Sequence, residues 1–269
     1  MNKINLTGVP ETMLWPLYNR AYEQKRKDRL IDDPLSLKVL NSIDYDYARN
    51  FGRPSAGHPL RARVFDDALK VWLEENREGT IVSLGEGLDT QFWRVDNGLL
   101  NWFSIDVPEA IDVRNHFLPA NDRIKTIPCS ALDFTWMEQI PQGRPVFFLL
   151  GGVIMYFTET ESKRLLQQIA NKFSGSEIIF DMIPEWYSAK TMKGMYVTKN
   201  YKAPPMPWGL NLADCHKLLS IHPALELKQK MSFIDPYPER MHPFSYFRYF
   251  KTIKEKMSPW MVHFYINKI

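Results

Sequence analysis

The sequence predicts an α/β fold with a mostly parallel, seven-stranded sheet, a helical extension before it and an insertion after its fifth strand. Three observations lead to this prediction. Short apolar runs alternate with helical patterns through the middle of the chain, two close glycines follow the first run, and two late runs follow a proline-rich stretch. Alternation of strands and helices is typical of parallel sheets with right-handed crossovers.

Helices are expected over residues 1–79, which form an N-terminal helical cap. The clearest one covers 58–76, where Pro59 suits the first turn. Its apolar positions recur at helical spacing and form a stripe. They are Leu60, Val64, Leu69, Trp72 and Leu73.

The core of the fold is expected at 80–183. Its strands are predicted at 80–84, 101–106, 123–128, 146–150 and 176–182, and its helices at 108–118, 133–140 and 158–173. Thr158 and Glu161 have the spacing of a capping box at the start of the last helix.

Residues 184–224 interrupt the alternation with the stretch YKAPPMPWG, which cannot lie inside a sheet and indicates an insertion. Residues 225–269 then supply strands at 226–234 and 262–269 around a helix near 243–257 and complete the same compact domain. A parallel sheet completed by late strands is the architecture of class I methyltransferases, and other mixed sheets fit the same pattern.

The composition limits the function. The 269 residues fit one domain, and a net charge of +3 argues against a nucleic-acid partner. Cys129 and Cys215 lack Cys-x-x-Cys spacing, which fits a reducing compartment and argues against a metal site. The N-terminus has no signal core and the apolar run at 145–157 is too short to span a bilayer, so we expect a cytoplasmic protein without a membrane partner. Nothing in the sequence predicts the oligomeric state.

The stretch IVSLGEGLDTQFW, residues 81–93, places Gly85 and Gly87 beyond the carboxyl end of a strand, where open parallel sheets bind ligands. A dinucleotide would bring its pyrophosphate to this turn, and Glu86 and Asp89 would repel it. S-adenosylmethionine removes the conflict because it has no phosphate and carries two cationic groups. The alternatives are a plain strand-to-helix turn for the glycines and a helix N-cap for Asp89.

Asp106 ends the second core strand, 21 residues after Gly85. An ionised carboxylate only accepts hydrogen bonds, so it suits the two hydroxyls of a ribose. Dinucleotide enzymes use an acid at the same place. Asp106 therefore indicates a nucleoside ligand without choosing between cofactors.

The segments LGEGLDTQFWR, SIDVPEAIDVR and LRARVFDDAL together resemble the leucine carboxyl methyltransferase family. The likeness is closer to its bacterial branch of polyketide-synthesis O-methyltransferases, and it runs from the first helix through the fifth core strand. It implies an S-adenosylmethionine-dependent methyltransferase with a class I (Rossmann-like) fold, whose N-terminal helices cover the cofactor.

The resemblance also implies the residues of a cofactor site. Arg63 resembles the arginine that pairs with the methionine carboxylate, and Arg61 is the alternative because the two differ by about 200° around a helix. Gly85 and Gly87 would hold the methionine end, and Asp106 the ribose. The expected cofactor-binding residues are Arg63, Gly85, Glu86, Gly87, Asp89, Asp106, Val107, Ser130, Ala131, Asp133 and Gly151.

Two places depart from the family pattern. Ser130 and Ala131 stand where relatives often have Asp-Leu beside the adenine, and Asp133 is either a replacement or a helix N-cap. Gly151 stands where relatives that methylate protein carboxyl termini tend to have an acid, which weakens that reading of the function.

The insertion 184–224 is expected to be the substrate lid, because it follows a strand on the ligand side and mixes aromatic residues with lysines. A pocket lined by aromatic residues and lysines suits an aromatic or anionic small molecule. The alternative is that the insertion is a subdomain whose aromatic residues form its own core. The candidates for acceptor contact are Tyr156, Trp186, Tyr187, Tyr201 and Trp208. No catalytic residue is predicted, because a carboxylate acceptor needs no base and the six histidines lie in no recognisable motif.

We therefore expect an S-adenosylmethionine-dependent O-methyltransferase that acts on a small acidic or aromatic, polyketide-like metabolite. The alternatives are a methyltransferase of protein C-terminal carboxylates and a non-catalytic relative that only binds the cofactor. A dehydrogenase is disfavoured by the charges of the glycine turn.

Overall fold

The computed structural model describes residues 2–3 and 8–268. Its central sheet has seven strands, numbered here in chain order. They are β1 (Thr80–Leu84), β2 (Asn101–Asp106), β3 (Ile124–Pro128), β4 (Val146–Leu150), β5 (Glu177–Met182), β6 (Leu225–Ser232) and β7 (Trp260–Ile266). The strands lie in the order β6-β7-β5-β4-β1-β2-β3.

Strands β1 to β5 pair in parallel, and β7 runs antiparallel to both β5 and β6. This arrangement confirms the predicted mostly parallel sheet completed by late strands. Ile269, which the predicted last strand included, lies outside the described residues.

Helices pack on both faces of the sheet and also form the N-terminal cap. They are α1 (Leu14–Glu23), α2 (Pro34–Ser42), α3 (Tyr47–Phe51), α4 (Gly57–Glu75), α5 (Gln91–Val95), α6 (Pro108–Phe117), α7 (Glu159–Lys172), α8 (Glu185–Met192) and α9 (Lys251–Met257). The capping box expected from Thr158 and Glu161 is present at the start of α7. Within the described part of the chain, no helix is long and apolar enough to cross a membrane.

Two segments differ from the helices expected there. Residues 133–140 contain only a 3-10 helix (Phe134–Gln139), and Pro141 disfavours helical dihedrals in the residue before it. The segment near 243–257 is split at Phe250, which has extended dihedrals between a 3-10 helix and α9.

Both faces of the sheet are buried because alternate strand residues point to opposite sides. One set, with Val82 and Phe148 as examples, packs with apolar residues of α7. The other set, with Ile81 and Phe147, packs with α4. This double coverage explains why the strands read as continuous apolar runs in the sequence.

The cap and the insertion share one apolar cluster. Helices α1 to α3 contribute residues such as Leu17, Val39 and Phe51, and Tyr201 of the insertion joins them. Tyr201 belongs to a hairpin of two short strands, Tyr196–Thr198 and Tyr201–Lys202, that follows α8. The later part of the insertion, the 3-10 helix Leu212–Ser220, packs into the main core instead.

Candidate cofactor and substrate site

The turn after β1 requires glycine at two positions. Gly85 and Gly87 have φ values of 64° and 52°, which residues with side chains rarely adopt. A Cβ on Gly85 would overlap Val153, and a Cβ on Gly87 would lie 2.7 Å from Met13 Cβ. The turn is therefore held between the segment after β4 and the start of the cap.

Asp106 lies at the end of β2 beside this turn. Its Oδ2 accepts a hydrogen bond from the Gly87 N–H at 2.8 Å, and its Oδ1 accepts one from the Val107 N–H at 2.8 Å. A carboxylate has about four lone-pair sites, so both oxygens can accept a further donor. Burial raises the pKa of Asp106, and the two N–H donors oppose that rise. This donor set fits a ribose diol.

Glu86 is enclosed in the protein, which corrects its expected place among the cofactor ligands. Its side chain is 1% exposed and accepts hydrogen bonds from Arg114 Nη2 at 2.9 Å and Trp102 Nε1 at 3.1 Å. Burial raises the pKa of Glu86, and Arg114 opposes the rise. Glu86 therefore fastens the turn to β2 and α6, and Arg114 balances its charge.

Asp89 is ionised and partly accessible. Its Oδ1 accepts a hydrogen bond from Arg94 Nη1 at 3.0 Å, and its Oδ2 lies 3.6 Å from Arg20 Nη1. Burial alone would raise the pKa of Asp89, but Arg20 and Arg94 outweigh it and hold the pKa well below its usual range. The side chain is still 26% exposed, so a cationic ligand group could approach it.

A buried network of charges supports the turn from the cap side. Arg94 binds Asp66 through two hydrogen bonds of 2.7 and 3.0 Å, and Arg20 donates to Asp33 at 3.3 Å. Thr90 Oγ1 also donates to Asp33, at 2.7 Å. The sequence prediction missed this network, because its members are scattered over α1, α4, α5 and their loops and form no local motif.

The hydrogen bonds of Arg63 are made within the cap, whereas the resemblance implies a contact with the cofactor. Its guanidinium donates to Asp67 at 2.7 Å and to the Leu30 carbonyl at 3.3 Å, and its side chain is 43% exposed. The opposite side of α4 faces the sheet, and it carries Arg61 because the two arginines are about 200° apart.

Arg61 instead contacts the segment that follows β4. It donates to Asp181 Oδ2 at 3.1 Å, and Asp181 Oδ1 accepts the Gly152 N–H at 2.5 Å. A Cβ on Gly152 would overlap the Arg61 guanidinium. Since Val153 in the same segment contacts Gly85, the structure brings Arg61, the alternative choice, to the glycine turn. Asp181, the partner that holds Arg61 there, was not among the predicted site residues.

The expected residue after β4, Gly151, faces α4. A Cβ there would lie 3.4 Å from the ring of Phe65, which is an ordinary van der Waals contact. The packing against α4 therefore leaves room for a Cβ at this position.

The three candidates after β3 take part in the local turn. Ser130 Oγ accepts the Leu132 N–H at 3.2 Å, and Ala131 is buried. Asp133 Oδ1 accepts a hydrogen bond from the Thr135 N–H at 3.2 Å. Asp133 therefore caps the 3-10 helix, which is the alternative role that the sequence suggested.

A cavity of about 330 Å³ lies between the start of the cap and the insertion. Its lining includes Glu11, Thr191, Lys193, Tyr201 and Lys202. Tyr201 is 5% exposed, and its hydroxyl has no hydrogen-bond partner among the residues that the structure describes. Buried hydroxyls are seldom left unpaired, so this one lacks a hydrogen bond that a ligand or a water molecule could supply.

Tyr156, which follows β4, and Tyr187 of the insertion pack in a small cluster with Met155 and Met206. Burial raises the pKa of Tyr156 to about 12 and also raises the pKa of Tyr187. Both phenols therefore stay protonated near neutral pH, as hydrogen-bond donors and apolar walls.

Two of the expected acceptor contacts lie elsewhere. Trp186 is 41% exposed and donates to the Met257 carbonyl at 3.1 Å, on the outside of the insertion. Trp208 packs in the main core with Leu210 and Trp260. Neither lines the cavity, because one faces outward and the other returns to the sheet.

The profile of the leucine carboxyl methyltransferase family matches residues 14–170, from α1 to within α7. The chain belongs to the leucine carboxyl methyltransferase family. The match covers the cap, the glycine turn, Asp106 and the segment after β4, which are the parts described above. Membership in the leucine carboxyl methyltransferase family confirms the resemblance seen in the sequence and the predicted methyltransferase activity.

Two relatives extend the comparison. The tetracenomycin polyketide synthesis O-methyltransferase TcmP of Streptomyces glaucescens is 25% identical over 235 residues, 86% of each chain. The S-adenosyl-L-methionine-dependent methyltransferase dpfgK of Gibberella zeae is 30% identical over 203 residues, 66% of this chain and 67% of its own. These names agree with the predicted cofactor, S-adenosylmethionine.

Solved structures support the fold. The plantazolicin methyltransferase BamL, in complex with a triazolic desmethylPZN analogue and S-adenosylhomocysteine, has a TM-score of 0.54 at 12% identity, with 97% of this chain and 98% of that one covered. The related enzyme BpumL has a TM-score of 0.52 at 12% identity, with 96% of this chain and 100% of that one covered. The predicted class I methyltransferase fold of this family member is therefore confirmed.

Proposed function

We propose that this protein transfers a methyl group from S-adenosylmethionine to an oxygen atom of a small acidic or aromatic, polyketide-like metabolite. The observation that carries the proposal is the cavity of about 330 Å³ between cap and insertion, lined by Tyr201 with its unpaired hydroxyl and by two lysines. Its size and mixed lining suit a small organic molecule with polar or anionic groups. The similarity to TcmP, a tetracenomycin polyketide synthesis O-methyltransferase, supports a polyketide-like acceptor.

The residues at the ligand edge fit the cofactor. Asp106 would accept the ribose hydroxyls, Arg61 would pair with the methionine carboxylate, and the ionised Asp89 would face the ammonium group. When bound, S-adenosylmethionine supplies a methyl group activated by a sulfonium leaving group. The glycine turn brings the backbone close to the ligand without a side chain in between.

The remaining task of the chain is to align the acceptor and exclude water. The protonated phenols of Tyr156 and Tyr201 would donate hydrogen bonds to the acceptor and hold it in place. Lys193 and Lys202 add positive charge at the cavity, which favours an anionic acceptor. The aromatic rings of the cap and insertion would keep water from the reacting atoms.

Calorimetry tests the cofactor assignment. Wild-type protein is expected to bind S-adenosylhomocysteine and not NADH. Asp106→Ala should weaken that binding by about 1–3 kcal/mol, because hydrogen bonds to a charged group are lost. Asp112→Ala, which changes an exposed carboxylate on α6, is the matched control. Binding of NADH in place of S-adenosylhomocysteine would reject the cofactor.

Transfer of labelled methyl to a panel of aromatic acids and phenols tests the acceptor class. Tyr201→Phe is expected to raise the KM for an acceptor while the Kd of S-adenosylhomocysteine stays unchanged, because only the unpaired hydroxyl is removed. Ser220→Ala, on the exposed end of the insertion, is the control. An unchanged KM for every acceptor would mean that the acceptor binds elsewhere.

The family description supports a second candidate, methylation of a protein C-terminal carboxylate. The same labelled cofactor in a cell lysate distinguishes the two candidates. Label in protein as a base-labile ester would favour the second one, and label confined to small molecules would favour the first.

A further inference from the structure

His58 is a polar residue at the ligand edge that has no role in the steps above. It lies in the first turn of α4, three residues before Arg61, so both side chains occupy one side of the helix. Its ring packs edge-on against Trp15, with 5.5 Å between the centroids. The charges that act on it are those of Arg61, Arg20 and Asp89. His58 therefore lies where the cap, the glycine turn and Arg61 meet.

Asn19 determines which ring nitrogen of His58 carries the proton. The Ser55 N–H donates to Asn19 Oδ1 at 3.1 Å, so the amide oxygen faces Ser55. The amide nitrogen must then face the histidine, and Nδ2 lies 2.6 Å from His58 Nδ1. Because an amide nitrogen only donates, Nδ1 accepts this bond, and a neutral ring carries its proton on Nε2.

The ring is neutral near pH 7. Burial lowers the pKa of His58 well below its usual value, and Arg61 and Arg20 lower it further against the opposing effect of Asp89. The Nε2–H group has no hydrogen-bond partner within residues 8–268, the continuous part of the described chain. His58 cannot act as a general base from Nε2, because its lone pair is on Nδ1 and is engaged by Asn19.

We propose that His58 Nε2–H donates a hydrogen bond to the carboxylate of the bound cofactor, beside Arg61. This inference rests on the proposed function, in which the same carboxylate pairs with Arg61. The carboxylate is the one anionic group of S-adenosylmethionine, and a free donor next to a guanidinium suits an anion. A neutral donor adds a directional bond without adding a third positive charge beside Arg61 and Arg20.

The first test compares ligands with and without the carboxylate. Calorimetry would measure the Kd of S-adenosylhomocysteine and of its decarboxylated analogue for wild type, His58→Phe and His58→Gln. The phenylalanine keeps a ring against Trp15 but removes the donor, and the glutamine amide can restore a donor at similar reach. His222→Phe, which alters a half-buried histidine bonded to Asn171 at 3.0 Å, is the control.

We expect His58→Phe to weaken binding of S-adenosylhomocysteine about 10-fold, which is about 1.4 kcal/mol, and to leave binding of the decarboxylated analogue unchanged. His58→Gln should recover most of the loss. Equal losses for both ligands, or a change confined to the acceptor KM, would overturn the assignment.

The second test uses ¹⁵N spectra of the histidine rings and does not depend on a folded His58→Phe variant. The His58 signals can be assigned with either substitution. In wild type the proton is expected on Nε2, and S-adenosylhomocysteine, but not its decarboxylated analogue, should shift that resonance. A proton on Nδ1, or no response at Nε2, would refute the role of His58. If the ligand binds without that response, only this inference fails, whereas absence of binding would reject the proposed function.

Discussion

At the scale of single residues, Gly85 shows how two demands combine at one position. It has a positive φ, and a Cβ would also overlap Val153. Gly98 provides a comparison, because its φ is 82° but a Cβ there would meet nothing within 4 Å. We expect Gly98→Ala to lower the free energy of unfolding by about 1 kcal/mol and Gly85→Ala to lower it by about 3 kcal/mol or more. Urea denaturation measures both, and equal losses would show that the turn can move away from Val153.

His58 should make stability depend on pH. Its folded pKa is lowered, so the unfolded chain binds a proton more readily than the native protein. The contribution of the neutral ring is fully present above the unfolded pKa of about 6.5 and is lost as the pH falls from there toward the folded pKa. Thermal unfolding between about pH 5 and pH 7.5 should show wild type losing more stability on acidification than His58→Phe. Parallel curves would mean that the ring is not held neutral.

Some residues of the predicted cofactor site can be recognised from the sequence pattern around them. The placement of others depends on contacts that form only in the folded protein. Asp106 and the two glycines stand at the ends of two consecutive predicted strands, and the structure brings them together. Arg63 was chosen over Arg61 from the resemblance, and the sequence does not show which side of α4 meets the sheet. Glu86 was predicted to contact the cofactor, but its carboxylate pairs with Arg114. That partner lies 28 residues away along the chain, so the pair is not visible in the sequence.

At the scale of elements, strands were easier to predict than short helices. Each strand from β1 to β5 begins and ends within one residue of its predicted range, because burial on both faces leaves continuous apolar runs. The 3-10 helix at Phe134–Gln139 was expected to be an α-helix. Its residues have the right composition, but Pro141 disfavours helical dihedrals at Ile140, which is extended.

The ion pair between Arg94 of α5 and Asp66 of α4 should be critical for joining these two helices. Both side chains are 4% exposed, so removal of one partner leaves a buried charge. We expect Arg94→Met to lower the free energy of unfolding by about 3–5 kcal/mol. The double variant Arg94→Met, Asp66→Asn should recover part of that loss, because it also removes the unpaired carboxylate. Arg123→Met breaks the more exposed pair with Asp96 and should cost less than about 1 kcal/mol. Denaturant unfolding measures all three, and equal costs for the two arginines would contradict the buried network.

At the scale of the whole molecule, the candidate acceptor site depends on contacts between distant parts of the chain. Thr198 of the insertion donates to the Asn50 carbonyl of α3 at 2.8 Å, a separation of 148 residues. Patterns along the sequence indicated a cap and an insertion, but neither pattern specifies which surfaces meet. This explains why Tyr201 of the hairpin lines the cavity while Trp208, only seven residues later, lies in the main core.

Thr198 should control how firmly the hairpin is held on the cap. Thr198→Val keeps the shape of the side chain and removes the hydroxyl that bonds to the Asn50 carbonyl and accepts the Asn200 and Tyr201 N–H groups. We expect tryptic cleavage at Lys199 and Lys202 to become several-fold faster and the acceptor KM to rise, because a net loss of about 1 kcal/mol favours opening of the hairpin. The main core does not include this contact, so the thermal midpoint should change little. Unchanged cleavage, with Ser220→Ala as the control, would show that the apolar cluster around Tyr201 alone holds the cap and the insertion together.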